Sequence, residues 1–234
     1  MRLLLIRHGE SANNALWDAD RDSFVASRTD DPPLTARGHE QARLLAAWLG
    51  AGGEAIDRLA ASPMQRALET AAPIAAALGL APEVRVDVHE HGGMYVGDPI
   101  SGEGFEVRTG LGRSRVAELL PGATLPEEIA EAGWWSGTHE DRDGLFERAG
   151  RVAARLGDEA AALEGDWTLA IVTHAGFAGA LLCQLTGAAE AWFQHANTGC
   201  TLIQLRPGAQ LEVEYVNRTP HLAGGGRAGP IAQG

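Results

Sequence analysis

Leu3 to Ile6 is an unbroken apolar run, short enough for a strand covered on both faces, and Gly9, Asn13 and Asn14 break the pattern after His8. From Leu34-Thr35-Ala36-Arg37 the period lengthens. Thr35 stands where an N-cap would, and Ala42, Leu45, Ala46 and Leu49 fall on one helical face that ends at Gly50 and Gly52. Arg58 to Ala61 reads as a second strand. Ser62-Pro63 is expected to open the next helix, with Leu68, Ala71, Ala72 and Ala75 buried and a stop near Gly79. Val84, Val86 and Val88 alternate as a third strand running into His89-Glu90-His91.

Periodicity then weakens from about Gly92 to Arg142, a Gly- and Pro-containing stretch with the pair Trp134-Trp135, expected to be an insertion whose tryptophans pack it onto the core. Helical spacing returns over Leu145 to Leu163. Leu169 to Val172 is a further buried strand ending near His174, and a helix is expected over Ala178 to Leu185. Thr201 to Leu205 and Leu211 to Val216 complete the strands. Strands alternating with helices predict a three-layer α/β/α sandwich with a mostly parallel central sheet. One domain over 1–222 carrying an insertion at about 92–142 is expected, with 223–234 a flexible Gly-rich tail.

In open sheets of this class ligands sit beyond the carboxyl ends of the strands. Four reactive groups are expected there: Arg7-His8, Ser62 to Arg66, His89-Glu90 and His174. Arginine's planar fork suits a phosphate, and Arg7, Arg66 and His174 supply positive charge for one. Backbone NH groups near Ser62 and at Ala175 and Gly176 are candidates to face the same anion.

Composition narrows the chemistry. A formal net charge of −12 with no basic tract argues against nucleic acid or an anionic membrane surface as partner. All 19 basic residues are Arg, so no lysine is present to form a Schiff base. Cys183 and Cys200 are read as free buried thiols. The apolar N-terminal run is too short for a signal peptide or membrane span, and a cytoplasmic protein is expected.

Leu5-Ile6-Arg7-His8-Gly9-Glu10-Ser11 with Asn14 resembles the signature of the histidine phosphatase superfamily, the phosphoglycerate-mutase-like proteins. Ala61-Ser62-Pro63-Met64-Gln65-Arg66-Ala67-Leu68-Glu69-Thr70-Ala71 is similar to the family's second arginine motif, and Val172-Thr173-His174-Ala175-Gly176 to its second histidine motif. The resemblance implies a phosphoglycerate-mutase-like fold and hydrolysis of a phosphate monoester, without metal or cofactor, through a phosphohistidine on His8. It implies that Arg7, Asn14, Arg66 and His174 hold the phosphoryl oxygens. Glu90 would protonate the leaving oxygen and later activate water, and to do so must first carry a proton. Ser62 and Ala175 are further substrate-binding candidates. Glu103 and Glu106 compete with Glu90 for the acid, and Glu10 is read as a structural partner for an arginine.

A cofactor-dependent phosphoglycerate-type mutase is the alternative. Mutases of the family carry a Phe-Thr-Gly-Trp-like stretch soon after the first motif, where this chain has Ser23-Phe24-Val25-Ala26-Ser27-Arg28-Thr29-Asp30-Asp31, and that departure favours hydrolysis. Arg28 in this stretch is available to an acidic substrate. More remote are a metal-dependent hydrolase built on His89 and His91 with His8, His174 and Glu90, and a non-catalytic phosphate-binding module. His39, His89, His91, His139, His195 and His221 lack motif support and are read as structural. The expected partner is a small phosphorylated molecule; the sequence is compatible with a homodimer without requiring one.

Overall fold

The computed structural model describes residues 1–99, 101, 103–162, 165–206 and 211–223. All but the first residue of the expected tail at 223–234 lies outside the described residues. Among the described residues a six-stranded sheet is formed by β1 (Arg2–Arg7), β2 (Arg58–Ala61), β3 (Glu83–Val84), β6 (Thr168–Thr173), β7 (Cys200–Gln204) and β8 (Glu212–Arg218). Its order is β3-β2-β6-β1-β7-β8. The first four strands are parallel, and β7 and β8 are added antiparallel at one side. A two-stranded hairpin, β4 (Tyr95–Val96) and β5 (Glu106–Val107), stands apart from it.

Alternation along the strands sorts side chains into two cores. Leu4, Ile6, Leu59, Ala61, Ala170 and Val172 point to the layer of α3 (Ala36–Gly50) and α4 (Gln65–Leu78), where Leu45, Leu49, Leu68 and Ile74 meet them. Leu3, Leu5, Ala60, Leu169 and Ile171 point the other way. They pack on α6 (Arg142–Ala162) and α7 (Ala175–Thr186) through Val152, Leu156, Phe177 and Leu181. This is the expected three-layer α/β/α sandwich. No helix among the described residues is long and apolar enough to cross a membrane.

After His8, α1 (Ala12–Ala19) forms behind a reciprocal cap in which Ser11 and Asn14 each accept the other's backbone NH, and α2 (Arg21–Ser27) starts on the Asp20 carboxylate. Two local expectations are corrected. The third strand stops at Val84. β2 ends at Ala61, whose carbonyl accepts the last bond from Arg85, so Val86–Val88 has no sheet partner and coils into a 3₁₀ turn. Val86 packs in one core and Val88 in the other, so their alternation does not mark a single sheet face.

The second correction concerns α4, which begins at Gln65 rather than at Ser62-Pro63. Its first NH is taken by Asp31, while Ser62 Oγ accepts the Met64 NH and is buried against another partner. The weakly periodic stretch 92–142 contributes Met94, Val116, Leu120, Ile129 and Trp134 to the core beneath α4, together with α5 (Arg113–Leu119). Cys183 and Cys200 are free and buried.

Candidate active site

Strand register brings the motif side chains together. Ile6, Val172 and Ala61 are laterally aligned in β1, β6 and β2, and the ladder continues past them through Ser62 NH to Val172 O (3.0 Å) and His8 NH to Thr173 O (2.9 Å). His8, His174 and Ser62 therefore leave adjacent strand ends, and the His8 and His174 ring centroids lie 5.1 Å apart. Glu90 arrives from the end of the next connection. Thr173 Oγ1 donates to Val88 O at 2.7 Å and ties that connection to β6.

His8 Nδ1 lies 2.6 Å from Gly9 O, a contact that requires the proton on Nδ1 and leaves the lone pair on Nε2. Arg66 Nε donates to that Nε2 at 3.2 Å. Burial, with Arg66 and Arg7 beside it, pushes His8 well below its usual range, and burial followed by Arg66 and His8 does the same to His174. Both imidazoles are neutral at pH 7. Arg7 is lowered by burial to about 10 and remains a cation.

The donors around His8 share one property. Arg7 Nε, Arg66 Nη1 and His174 Nδ1 are buried without a hydrogen-bond partner. Each of these side chains is held by its other atoms: Arg7 Nη1 donates to His195 O (2.7 Å), Arg66 Nε meets His8, and His174 Nε2 pairs with Ser62 Oγ (2.8 Å). Buried donors left unpaired are costly unless a ligand accepts from them. An anion with several oxygens would accept from all three.

Ser62 is fully buried and spends its hydroxyl on His174, which places it behind the histidine rather than in the pocket. Asn14 Oδ1 accepts from Ser11 NH and from Asn197 Nδ2, both at 3.1 Å, and its own NH2 has no protein partner among the described residues. Glu90 is an acceptor: Oε1 takes His91 NH (2.9 Å) and Phe177 NH (3.0 Å), and Oε2 takes Gly176 NH (3.3 Å). The first turn of α7 thus already holds one carboxyl group, and Ala175 is the neighbour whose NH is not used in this way.

The rival acids lie elsewhere. Glu106 is exposed in an ion pair with Arg108, and Glu103 is exposed on the turn between β4 and β5. Glu10 accepts from Thr35 Oγ1 and Arg37, the structural role expected of it. His89 packs against Trp134 and Trp135, with Nδ1 on Glu90 O, and burial lowers it to about 4. His91 and His139 meet ring to ring at 6.0 Å.

Several supports escaped sequence reasoning. Asn197 Nδ2 donates to His8 O (3.1 Å) as well as to Asn14, and Thr198 NH reaches both Arg7 O and His8 O. Thr198 holds a positive φ of 55° to do so. Thr70 Oγ1 accepts Gly9 NH, and the Asp31 carboxylate, 3.7 Å from Arg66 Nη1, lies between that arginine and the start of α4. The polar cluster Asn197-Thr198-Gly199 just before an apolar strand was the available signal for the first of these.

The fold is shared with proteins of known structure. Residues 3–102 match the family model of the histidine phosphatase superfamily, branch 1. A PE-PGRS family protein of Mycobacterium tuberculosis is 35% identical over 126 residues; the match spans 51% of this chain and 20% of that protein's length. Among solved structures, an alpha-ribazole phosphatase from Shigella flexneri superposes with TM-score 0.63 at 22% identity, covering 94% of this chain and 97% of that one. A phosphoserine phosphatase from Entamoeba histolytica gives 0.61 at 21%, covering 94% and 98%. A mycobacterial glucosyl-3-phosphoglycerate phosphatase gives 0.57 at 20%, covering 92% and 98%. With the sheet order and the three motifs at adjacent strand ends, the chain matches the histidine phosphatase superfamily, by its family model over residues 3–102 and by fold over most of its length.

Proposed function

We propose that this protein hydrolyses a small phosphate monoester through a phosphohistidine on His8. The observation that carries the reading is the fixed tautomer of His8. Nδ1 is held on Gly9 O, so the lone pair is on Nε2, where it accepts from Arg66 Nε until that arginine turns to the substrate, at the edge of a pocket with three unpartnered nitrogens. That is the arrangement an in-line attack on phosphorus requires.

In the first step His8 Nε2 forms a bond to phosphorus as the bond to the leaving oxygen breaks, and Glu90 delivers a proton to that oxygen. Arg7, Arg66 and His174, with the Asn14 amide, take up the charge on the transferring oxygens. In the second step water, giving its proton back to Glu90, attacks phosphorus and breaks the P–N bond, releasing inorganic phosphate and neutral His8. The Glu90 carboxyl is oriented for these transfers by three backbone NH groups, those of His91, Gly176 and Phe177. The steps draw on side chains alone.

The named relatives point to a first panel: phosphoserine, a ribazole phosphate and a sugar-linked phosphoglycerate. Phosphate release from at least one phosphomonoester, abolished in His8→Ala, is the expected result. Isomerisation of a phosphoglycerate without release, or release undiminished in the variant, contradicts the proposal.

A further inference from the structure

Arg28 follows the last residue of α2, outside every motif that identifies the family. Its guanidinium lies 4.6 Å above the Tyr95 ring, and Nη1 donates to Gly97 O (2.9 Å) and more weakly to Tyr95 O (3.4 Å). One edge of the group is thereby pinned to the β4 hairpin. The other edge, Nε and Nη2, makes no hydrogen bond among the described residues, and Nε is buried. Nor does Arg28 form an ion pair with any carboxylate there.

This guanidinium stands beside the phosphoryl pocket: the next residue is tied to α1, with Thr29 NH donating to Asn13 Oδ1 (3.1 Å) and Asn13 Nδ2 to Thr29 O (2.8 Å), and Asp31, three residues on, lies 3.7 Å from Arg66 Nη1. Burial, with the charge of Arg28 adding to it, lowers the proton affinity of Arg66. A cation placed next to another cation, without a counter-charge of its own, is unfavourable unless an anion arrives to share. The Nε–Nη2 edge of arginine is the fork that grips a carboxylate or phosphate through two parallel hydrogen bonds. Stacking on Tyr95 and the two carbonyl contacts remove most of its rotamer freedom before any ligand binds.

Resting on the phosphatase reading, we propose that Arg28, backed by Tyr95, forms a second anion subsite, and that the preferred substrate is a phosphomonoester carrying a further anionic oxygen group. The phosphoryl end enters the cradle of Arg7, Arg66 and His174. The second group meets the open fork of Arg28.

The test uses a matched pair. 3-Phosphoglycerate and glycerol 3-phosphate differ in a carboxylate against a hydroxymethyl group. Their kcat/KM ratio is measured for wild type, Arg28→Gln and Arg28→Lys, and both ligands are titrated into His8→Ala protein as a readout independent of turnover. A charged bidentate contact predicts at least about tenfold preference for the carboxylate, in turnover and in binding. Arg28→Gln should collapse the ratio to near one, chiefly through KM, and Arg28→Lys should restore part of it. A wild-type ratio near one, or equal losses on both ligands in Arg28→Gln, overturns the subsite and reduces Arg28 to a strut for the hairpin. Selective binding with no turnover of any phosphomonoester would uphold the subsite and contradict the phosphatase reading.

Discussion

The Glu90 carboxylate occupies the space a side chain on residue 176 would fill: a Cβ on Gly176 would lie 2.6 Å from Glu90 Oε1. Glu90, the proposed acid, is therefore seated by the absence of a side chain at the second position of α7 as much as by the NH groups it accepts from. Gly176→Ala should push the carboxylate off the helix start. We expect kcat to fall about tenfold to a hundredfold, as misplacement of a reacting group by about 1 Å commonly does. The far-ultraviolet circular dichroism spectrum should be unchanged. Wild-type kcat in this variant would show that Glu90 is not the acid in the geometry described.

Asp31 gives a pH dependence with a defined sign. Burial raises its carboxyl to about 7, against the pull of Arg66, while Asp30 and Glu69 add to the rise. A carboxyl that binds its proton more tightly folded than unfolded stabilises the fold at low pH, and that stabilisation is lost as pH rises from about 4 to about 7. Asp31→Asn keeps an acceptor for the Gln65 NH and removes the titration. Between those pH values, wild-type unfolding free energy should fall relative to the variant with a slope of up to about 1.4 kcal/mol per pH unit. Parallel stability curves from urea denaturation would show that Asp31 does not titrate in that range.

Asn197 holds the His8 backbone from behind. Removing its amide in Asn197→Ala leaves His8 O and Asn14 Oδ1 each short of a donor. A stability loss of about 1–3 kcal/mol is expected, with kcat reduced more than KM is raised. An unaltered kcat would mean that the Arg7–His8 turn is positioned by Thr198 alone.

Arg148 does equivalent work beside Glu90. It donates to Asp87 O and His89 O, fixing the backbone that delivers Glu90, and pairs with Glu140 while buried beside the Phe177 ring. Arg148→Met should cost about 3–5 kcal/mol, because Glu140 is left without its partner. Adding Glu140→Gln should recover part of that loss in a double-mutant cycle. Additive losses would mean that the pair is not coupled.

The legible parts of this molecule were those in which neighbouring residues carry the whole signal. Leu3 to Ile6 and Leu169 to Val172 are apolar runs because their strands are covered on both faces, and each leads directly to a histidine. Residues whose roles depend on distant partners gave no such signal. Asn197 acts on a carbonyl 189 positions away, and Arg148 on a segment about sixty positions back. Val86 and Val88 misled because alternation was taken for a sheet, whereas they serve two different cores across a turn. Ser62 misled in another way: its place at a strand end suggested ligand contact, but the His174 ring stands close enough to use its hydroxyl.

A nucleophilic His8 becomes covalently phosphorylated during turnover. Rapid acid-free quenching of a reacting mixture under alkaline conditions, where phosphohistidine survives, followed by peptide mass spectrometry, detects the adduct directly. One phosphoryl group is expected on the peptide containing His8, absent from His8→Ala, forming and decaying at least as fast as phosphate is released. Phosphate release without that adduct, or an adduct on any other residue that forms and decays at the rate of turnover, would contradict it.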